Sequence, residues 1–138
     1  MIIAGLTNSF KEQLLLGEHN LEADVLKIAL YTSAAVLGPD TTAYTSVDEV
    51  SSPGYVAGGE VLVNVTVSLA NGVAYASFNN PTWVATTFSP RGALIYNFTK
   101  SNKSIGVLNF GIDQTTLSQN FQIQLPTNNP ETALIRVL

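Results

Sequence analysis

Cysteine is absent from this sequence, so neither a disulfide nor a thiolate-bound metal ion can hold the fold together. Charged residues are scarce as well, at 12% of the chain, which is about half the share typical of soluble proteins. The six basic residues form no run, and the net charge is −4. Because phosphate binding needs clustered Lys and Arg, these absences argue against a nucleic-acid partner.

Long hydrophobic runs are also missing. Polar residues interrupt every apolar segment before it reaches the ~18 residues of a membrane span. The N-terminal stretch MIIAGLTNSFKEQLLL lacks the basic start and the unbroken apolar segment of a signal peptide. We therefore interpret the N-terminus as mature protein and expect no membrane partner.

Side chains that could carry out catalysis are few. His19 is the only histidine, and its neighbours Glu18 and Glu22 match no familiar metal-binding spacing. No serine lies in the G-x-S-x-G elbow of a hydrolase. The acids Asp48 and Glu49 fall in a long polar segment, where solvated carboxylates are more common than a glycosidase pair. The sequence predicts no enzyme activity, no cofactor and no metal, and it predicts a cationic His19 at the end of a helix.

One helix is predicted near the N-terminus, at about residues 6–16. Ser9 followed by Glu12 fits a capping box, and Gly17 stands where a C-terminal glycine would end the helix. Residues 38–60 are mostly Thr, Ser, Gly and Pro, which we interpret as a long ordered loop. Loops of this length are often functional, so this one is a candidate contact surface.

The stretch LVNVTVSLANGVAYASF has the pattern of a β-hairpin, which we place at about residues 61–78. Asn71 and Gly72 favour a two-residue type I′ turn because both tolerate positive φ. That turn places Val67 opposite Ala76 on a face that is apolar along both strands. We expect this face, Val67 included, to lie against the core.

Further strands are predicted by the runs VLKIALYTS, ALIYNF and IGVLNFG, and by the alternation of Phe121, Ile123 and Leu125 with glutamines. Many short strands separated by turn residues are typical of sandwiches and jelly rolls. We therefore predict a mainly β chain with one domain over residues 1–138. Its expected fold is a β-sandwich or a jelly-roll-like fold of about seven to nine antiparallel strands, with one short N-terminal helix.

Five residues form a candidate interface. Ile2 and Ile3 belong to an apolar N-terminal end, which a lightly charged chain would cover by binding copies of itself or another protein. Tyr44 and Tyr55 are the large anchors of the long loop, and Arg91 stands just before an apolar strand. Arg91 has two interpretations, an ion pair that holds a loop or a contact with a partner.

Several stretches resemble a family of small virion structural proteins of tailed bacteriophages. The resemblance is carried by NSFKEQLLLGEHN, LKIALYTSAAVLGPDTTAYTSVDEVSSPGYVAGGEVL, the segment around Trp83, FSPRGALIYN and IGVLNFG, in this order along almost the entire chain. It implies a capsid-associated or tail-associated component without catalysis, present in the virion and assembled in the bacterial host cytoplasm. It defines no functional residues that transfer to this chain.

The resemblance and the composition together lead to one expected function and two alternatives. The expected function is a capsid decoration or cement protein that binds the outer capsid as a homo-oligomer, with the major capsid protein or other virion proteins as partners. The first alternative is a tail, neck or fibre component. The second is a carbohydrate-binding or adhesin module in which Trp83, Tyr44 and Tyr55 stack on a host glycan. Otherwise Trp83, the only tryptophan, is expected in the core or at its edge.

Overall fold

A computed structural model describes all 138 residues of the chain. It contains one helix and ten short strands, and every pairing within the sheets is antiparallel. In chain order the elements are β1 (Gly5–Leu6), α1 (Asn8–Leu15), β2 (Leu26–Tyr31), β3 (Glu60–Val61), β4 (Thr66–Ala70), β5 (Val73–Ser77), β6 (Thr82–Thr86), β7 (Gly92–Asn97), β8 (Lys103–Asn109), β9 (Gln119–Gln122) and β10 (Ile135–Val137).

The strands form three sheets in a β-sandwich-like arrangement. A five-stranded sheet has the order β1-β8-β7-β2-β3, a three-stranded sheet has the order β10-β5-β4, and β6 pairs with β9. The mainly β prediction is confirmed. The strands outnumber the predicted seven to nine because β1 and β3 have only two residues each, too few to show a period in the sequence.

The five-stranded sheet is buried on both faces. Ile28 and Leu30 of β2 point into a main core of 16 buried residues, whereas Ala29 and Tyr31 point into a second cluster of 8. All six residues of β7 are buried in the same alternating way. Strands that are covered on both faces need an uninterrupted apolar sequence, which explains the runs LKIALY and GALIYN.

The helix α1 ends at the predicted glycine. Gly17 has a φ of 72°, and its N–H donates to the Leu14 carbonyl at 3.2 Å. The Glu18 N–H donates to the Gln13 carbonyl at 3.0 Å. These two bonds and the left-handed glycine make up a Schellman motif, which satisfies carbonyls at the helix end.

The start of the helix differs from the prediction. Helix α1 covers Asn8–Leu15 rather than 6–16, and its N-cap is Thr7, so the predicted capping box with Ser9 is wrong. Thr7 makes no side-chain cap bond because its hydroxyl turns inward to the Ser104 hydroxyl, 2.9 Å away. With only eight residues, α1 is too short to cross a membrane.

The β4–β5 hairpin has the predicted register. Asn71 and Gly72 form the turn with φ values of 52° and 75°, and Val67 lies opposite Ala76. Only the base of the apolar face reaches the core, however: Ala76 is buried, whereas Val67 is 47% and Leu69 76% exposed. The expectation that Val67 faces the core is therefore wrong, because β4 is the outer strand of its sheet and the core covers the base of β5 rather than β4.

The long loop of residues 38–60 packs along the β2 side of the five-stranded sheet and contacts both of its faces, with Val50 and Tyr55 at the main core. It contains no helix and reaches a strand only at Glu60. Tyr44 packs on the second cluster. At Gly59 the loop backbone approaches β2 so closely that a Cβ atom would stand 1.8 Å from the Ile28 carbonyl oxygen. The loop is thus an ordered layer of the fold.

Candidate functional site

Glu49 is the centre of the hydrogen bonds that hold the long loop together. Its carboxylate accepts bonds from the Tyr44 hydroxyl at 2.6 Å, from the Tyr55 hydroxyl, and from the Gly58 N–H at 2.8 Å. It takes part in none of the three ion pairs of the chain. Three donors satisfy a carboxylate without a cation, so Glu49 acts in folding the loop.

Two tyrosines of the sheet join this network from below the loop. The Tyr96 hydroxyl donates to the Gly58 carbonyl at 2.6 Å, and its ring stacks on Tyr44 with 4.8 Å between the ring centroids. The Tyr31 hydroxyl donates to the Thr45 carbonyl, also at 2.6 Å. The candidate interface residues Tyr44 and Tyr55 are thus loop anchors in the isolated chain.

These four tyrosines titrate at higher pH than ordinary tyrosines. Burial, and second to it the Glu49 charge, raises the pKa of Tyr96 to about 12. Burial first, and then Glu49 as a hydrogen-bond acceptor or as a charge, also raises the pKa of Tyr31, Tyr44 and Tyr55. Their hydroxyls therefore remain hydrogen-bond donors at neutral pH.

Two open clefts border Glu49, with volumes of about 530 and 710 Å³. Ser51 and Ser52 line both clefts, and most of the other polar lining consists of hydroxyl groups. Glu49 is the only carboxylate in either lining, so the paired acids of a glycosidase are not found there. No cluster of His, Asp or Glu in the chain is placed to hold a metal ion.

Arg91 forms an exposed ion pair. Its Nε donates to the Asp113 Oδ1 at 2.9 Å, and the two side chains are 36% and 45% exposed. This geometry corresponds to the first of the two interpretations, an arginine that holds a loop. About a third of the Arg91 side chain remains exposed, and contact with a partner stays a prediction.

The two N-terminal isoleucines have different environments. Ile2 is 7% exposed and belongs to the second buried cluster, where it packs with Leu37. Ile3 is 48% exposed. Of this pair, only the side chain of Ile3 is exposed and available for contact with a partner.

His19 is held as a neutral ring between α1 and β7. The Asn97 Nδ2, which can only donate, lies 3.0 Å from the His19 Nδ1, so that nitrogen accepts. The His19 Nε2 therefore donates to the Gln13 Oε1, 2.8 Å away. Burial lowers the pKa of His19 and outweighs the opposing attraction of Asp24. The predicted cationic histidine at the helix end is wrong.

Trp83 lies in the main core. It is 1% exposed, and its ring centroid lies 5.8 Å from that of Phe121. A ring in this position cannot stack on a glycan. The carbohydrate-binding alternative thus loses its main platform, while the hydroxyls of Tyr44 and Tyr55 are already bound to Glu49.

A groove that sequence reasoning missed runs between α1 and the three-stranded sheet. Its volume is about 500 Å³. Phe10 and Leu14 line it on the helix side, and Val67, Ala74 and Val137 line it on the sheet side. We call it the α1–β4 groove. The apolar alternation of β4 was the available signal, but it was assigned to the core.

Comparisons with known proteins identify no relative. A scan against protein-family models gives no match, and neither a curated protein nor a solved structure matches the chain. The resemblance to bacteriophage virion proteins therefore stays a prediction, and the functional inference depends on it together with the exposed surface.

Proposed function

We propose that this chain is a non-enzymatic structural protein of a tailed-bacteriophage particle, and that it decorates the outer capsid as a homo-oligomer. Its partners are copies of itself and the major capsid protein or other virion proteins. It resides in the virion after assembly in the bacterial host cytoplasm. The sequence resemblance supports the assignment to a phage particle. The composition of the folded surface supports binding to other proteins.

The observation that carries the proposal is the amount of apolar side chain left exposed. Eighteen large apolar residues are exposed, whereas the whole chain has only sixteen charged residues, ten acidic and six basic. The accessible surface of 7146 Å² is close to the ~6,900 Å² typical of a monomer of this mass. The surface is thus ordinary in area but lightly charged, with many exposed apolar side chains, which supports binding to other proteins.

A binding experiment with capsids that lack tails tests the proposed function. The purified protein is expected to sediment with tailless capsids and to raise the temperature at which they are disrupted. Protein that fails to sediment with any capsid overturns the proposal. Protein found only with tails moves the assignment to a tail, neck or fibre component.

Arg91→Ala tests whether the candidate interface takes part in this binding. We expect weaker capsid binding but a loss of no more than about 1 kcal/mol in the free energy of unfolding, because exposed ion pairs contribute about 0.2–1 kcal/mol. Arg136→Ala changes the only other arginine and is the matched control. Equal capsid binding by the two variants would exclude Arg91 from the contact.

A further inference from the structure

Strand β4 is the edge strand of this chain that is least protected against pairing, since its one charged cover is the Glu22 carboxylate at Val67. Its five residues, TVSLA, include no charge and no proline, and its ladder with β5 has no bulge. The other edges are each protected or polar: β1 and β3 have two residues, β10 carries Arg136, β6 is bulged, and β9 reads QNFQ. Sheet pairing with another chain is therefore most favourable at β4.

Leu69 presents the unpaired backbone groups of this edge. The Val67 N–H points away from β5, since it donates to a Glu22 carboxylate oxygen at 2.9 Å. Backbone groups alternate in direction along a strand, so the N–H and C=O of Leu69 also point away from β5. No hydrogen bond from another part of the chain reaches them. The Leu69 side chain is 76% exposed.

The apolar side chains around this edge approach the size of a protein interface. Leu69, Ala74 and Val137 lie side by side across the three strands and lead into the α1–β4 groove. Five exposed apolar residues line the groove or neighbour its lining residues, in the chain or, for Leu69, across the ladder from Ala74: Leu15, Leu16, Val67, Leu69 and Val137.

Together these side chains offer roughly 300 Å² of apolar surface, at about 100 Å² for each fully exposed aliphatic side chain. The apolar share of a stable interface is roughly 450–500 Å² per partner. These side chains therefore offer roughly two thirds of the apolar area of a standard stable interface. The unpaired backbone of the β4 edge adds a polar, hydrogen-bonding contribution beside them.

We propose that two copies of this chain associate through β4 and the adjoining rim of the α1–β4 groove, with Leu69 at a two-fold axis. The axis places the Leu69 N–H of one copy opposite the Leu69 C=O of its partner. Since β4 contains no charged residue, this pairing brings no like charges of the two β4 strands together. A two-fold contact uses both β4 edges and leaves none open for fibre growth. This contact is the interface of the homo-oligomer named in the proposed function, and in that respect the inference rests on that function.

Concentration-dependent association of the full chain tests the proposal. Light scattering and sedimentation are expected to show a dimer that dissociates on dilution. The Leu69 amide is expected to exchange hydrogen at least about tenfold more slowly in the dimer than in the dilute chain, because it gains a hydrogen bond. Leu69→Lys is expected to raise the dissociation constant by about 100-fold, as for a central interface residue.

Leu117→Lys is the matched control, since Leu117 is 74% exposed and lies outside β4 and the groove. It is expected to leave association unchanged. Both positions are on the surface, so both variants are expected to fold. Thermal melts at low concentration check this.

Three results would overturn the dimer: a monomer at every concentration, a dimer that Leu69→Lys leaves intact, or a Leu69 amide protected only when capsids are added. The last result assigns the β4 edge to a strand of the capsid protein. A monomer that still binds tailless capsids overturns this inference alone. A dimer that ignores capsids overturns the proposed function alone.

Discussion

Gly59 is a residue at which the backbone of the long loop lies directly against β2 of the five-stranded sheet. Its φ is +80°, which side chains other than glycine rarely adopt. A Cβ atom there would lie 1.8 Å from the Ile28 carbonyl oxygen and 2.8 Å from the Ala29 Cα. Neither is the movable end of a flexible side chain, so the loop would have to leave the sheet to make room.

Gly59→Ala is therefore expected to lower the free energy of unfolding by more than about 3 kcal/mol, since the steric clash adds to a backbone cost of about 1–3 kcal/mol. Gly111 is the control: it has the same φ of +80° but nothing within 4 Å of the added Cβ. Gly111→Ala should cost only about 1–2 kcal/mol. Urea unfolding of both variants checks the difference, and equal losses would show that the loop does not press on β2.

At the scale of elements, the β4–β5 hairpin projects partly beyond the core. Val67 and Ala76 face each other in the ladder and point to the same side of the sheet. Ala76 is 3% exposed and part of the main core, whereas Val67 is 47% exposed and lines the α1–β4 groove. A single row of the sheet thus spans the boundary between core and surface.

The same charge placed at each end of this row should have very different effects. Ala76→Asp is expected to lower the free energy of unfolding by at least about 3 kcal/mol, because it buries an unpaired carboxylate. Val67→Asp is expected to cost only about 1 kcal/mol, because its carboxylate reaches water. Chemical denaturation of the two variants measures both values. An unfolded Val67→Asp chain would mean that the groove is closed in solution.

The elements that local chemistry specifies could be predicted from the sequence. Asn71 and Gly72 fix the hairpin register because only certain residues tolerate the turn, and Gly17 ends the helix for a similar reason. The exposure of Val67 could not be predicted, because it depends on how far distant elements extend over the sheet. Likewise, nothing near Thr7 in the sequence indicates that its hydroxyl bonds to Ser104, a residue of the neighbouring strand β8.

The candidate site was predicted less completely than the fold. Tyr44 and Tyr55 were identified as loop anchors, but their common acceptor Glu49 was interpreted as a solvated acid. The bonds that join them run between residues five and six positions apart in an irregular loop, where no period applies. The contribution of Tyr96 depends on a sheet residue more than thirty positions away from Gly58, its acceptor.

At the scale of the whole molecule, four tyrosines fasten the long loop to the five-stranded sheet. Tyr31 and Tyr96 lie on the sheet, and Tyr44 and Tyr55 lie on the loop. All four hydroxyls donate to acceptors within the loop. Backbone bonds such as that from the Val50 N–H to the Leu30 carbonyl also hold the loop. A tyrosinate cannot donate, so the hydroxyl part of this attachment depends on protonated tyrosine.

The fold is therefore expected to lose stability in alkali. A folded-state pKa above the unfolded value of about 10 contributes stability that is complete below pH ~10 and is lost as the pH rises through the folded value. For Tyr96 that value is about 12. We expect loss of β structure and the rise in tyrosinate absorbance to occur together between these limits.

Tyr96→Phe should flatten the decline of stability above pH ~10, because it removes one of the linked ionisations. It should also cost about 1 kcal/mol at neutral pH, through the lost bond to Gly58. Tyr75→Phe is the control, since Tyr75 lies on β5 and outside the Glu49 network. Tyrosinate absorbance and circular dichroism, recorded together against pH, make the comparison. If all tyrosines ionise near pH 10 while the sheets remain intact, the loop is not attached to the sheet by these hydroxyls.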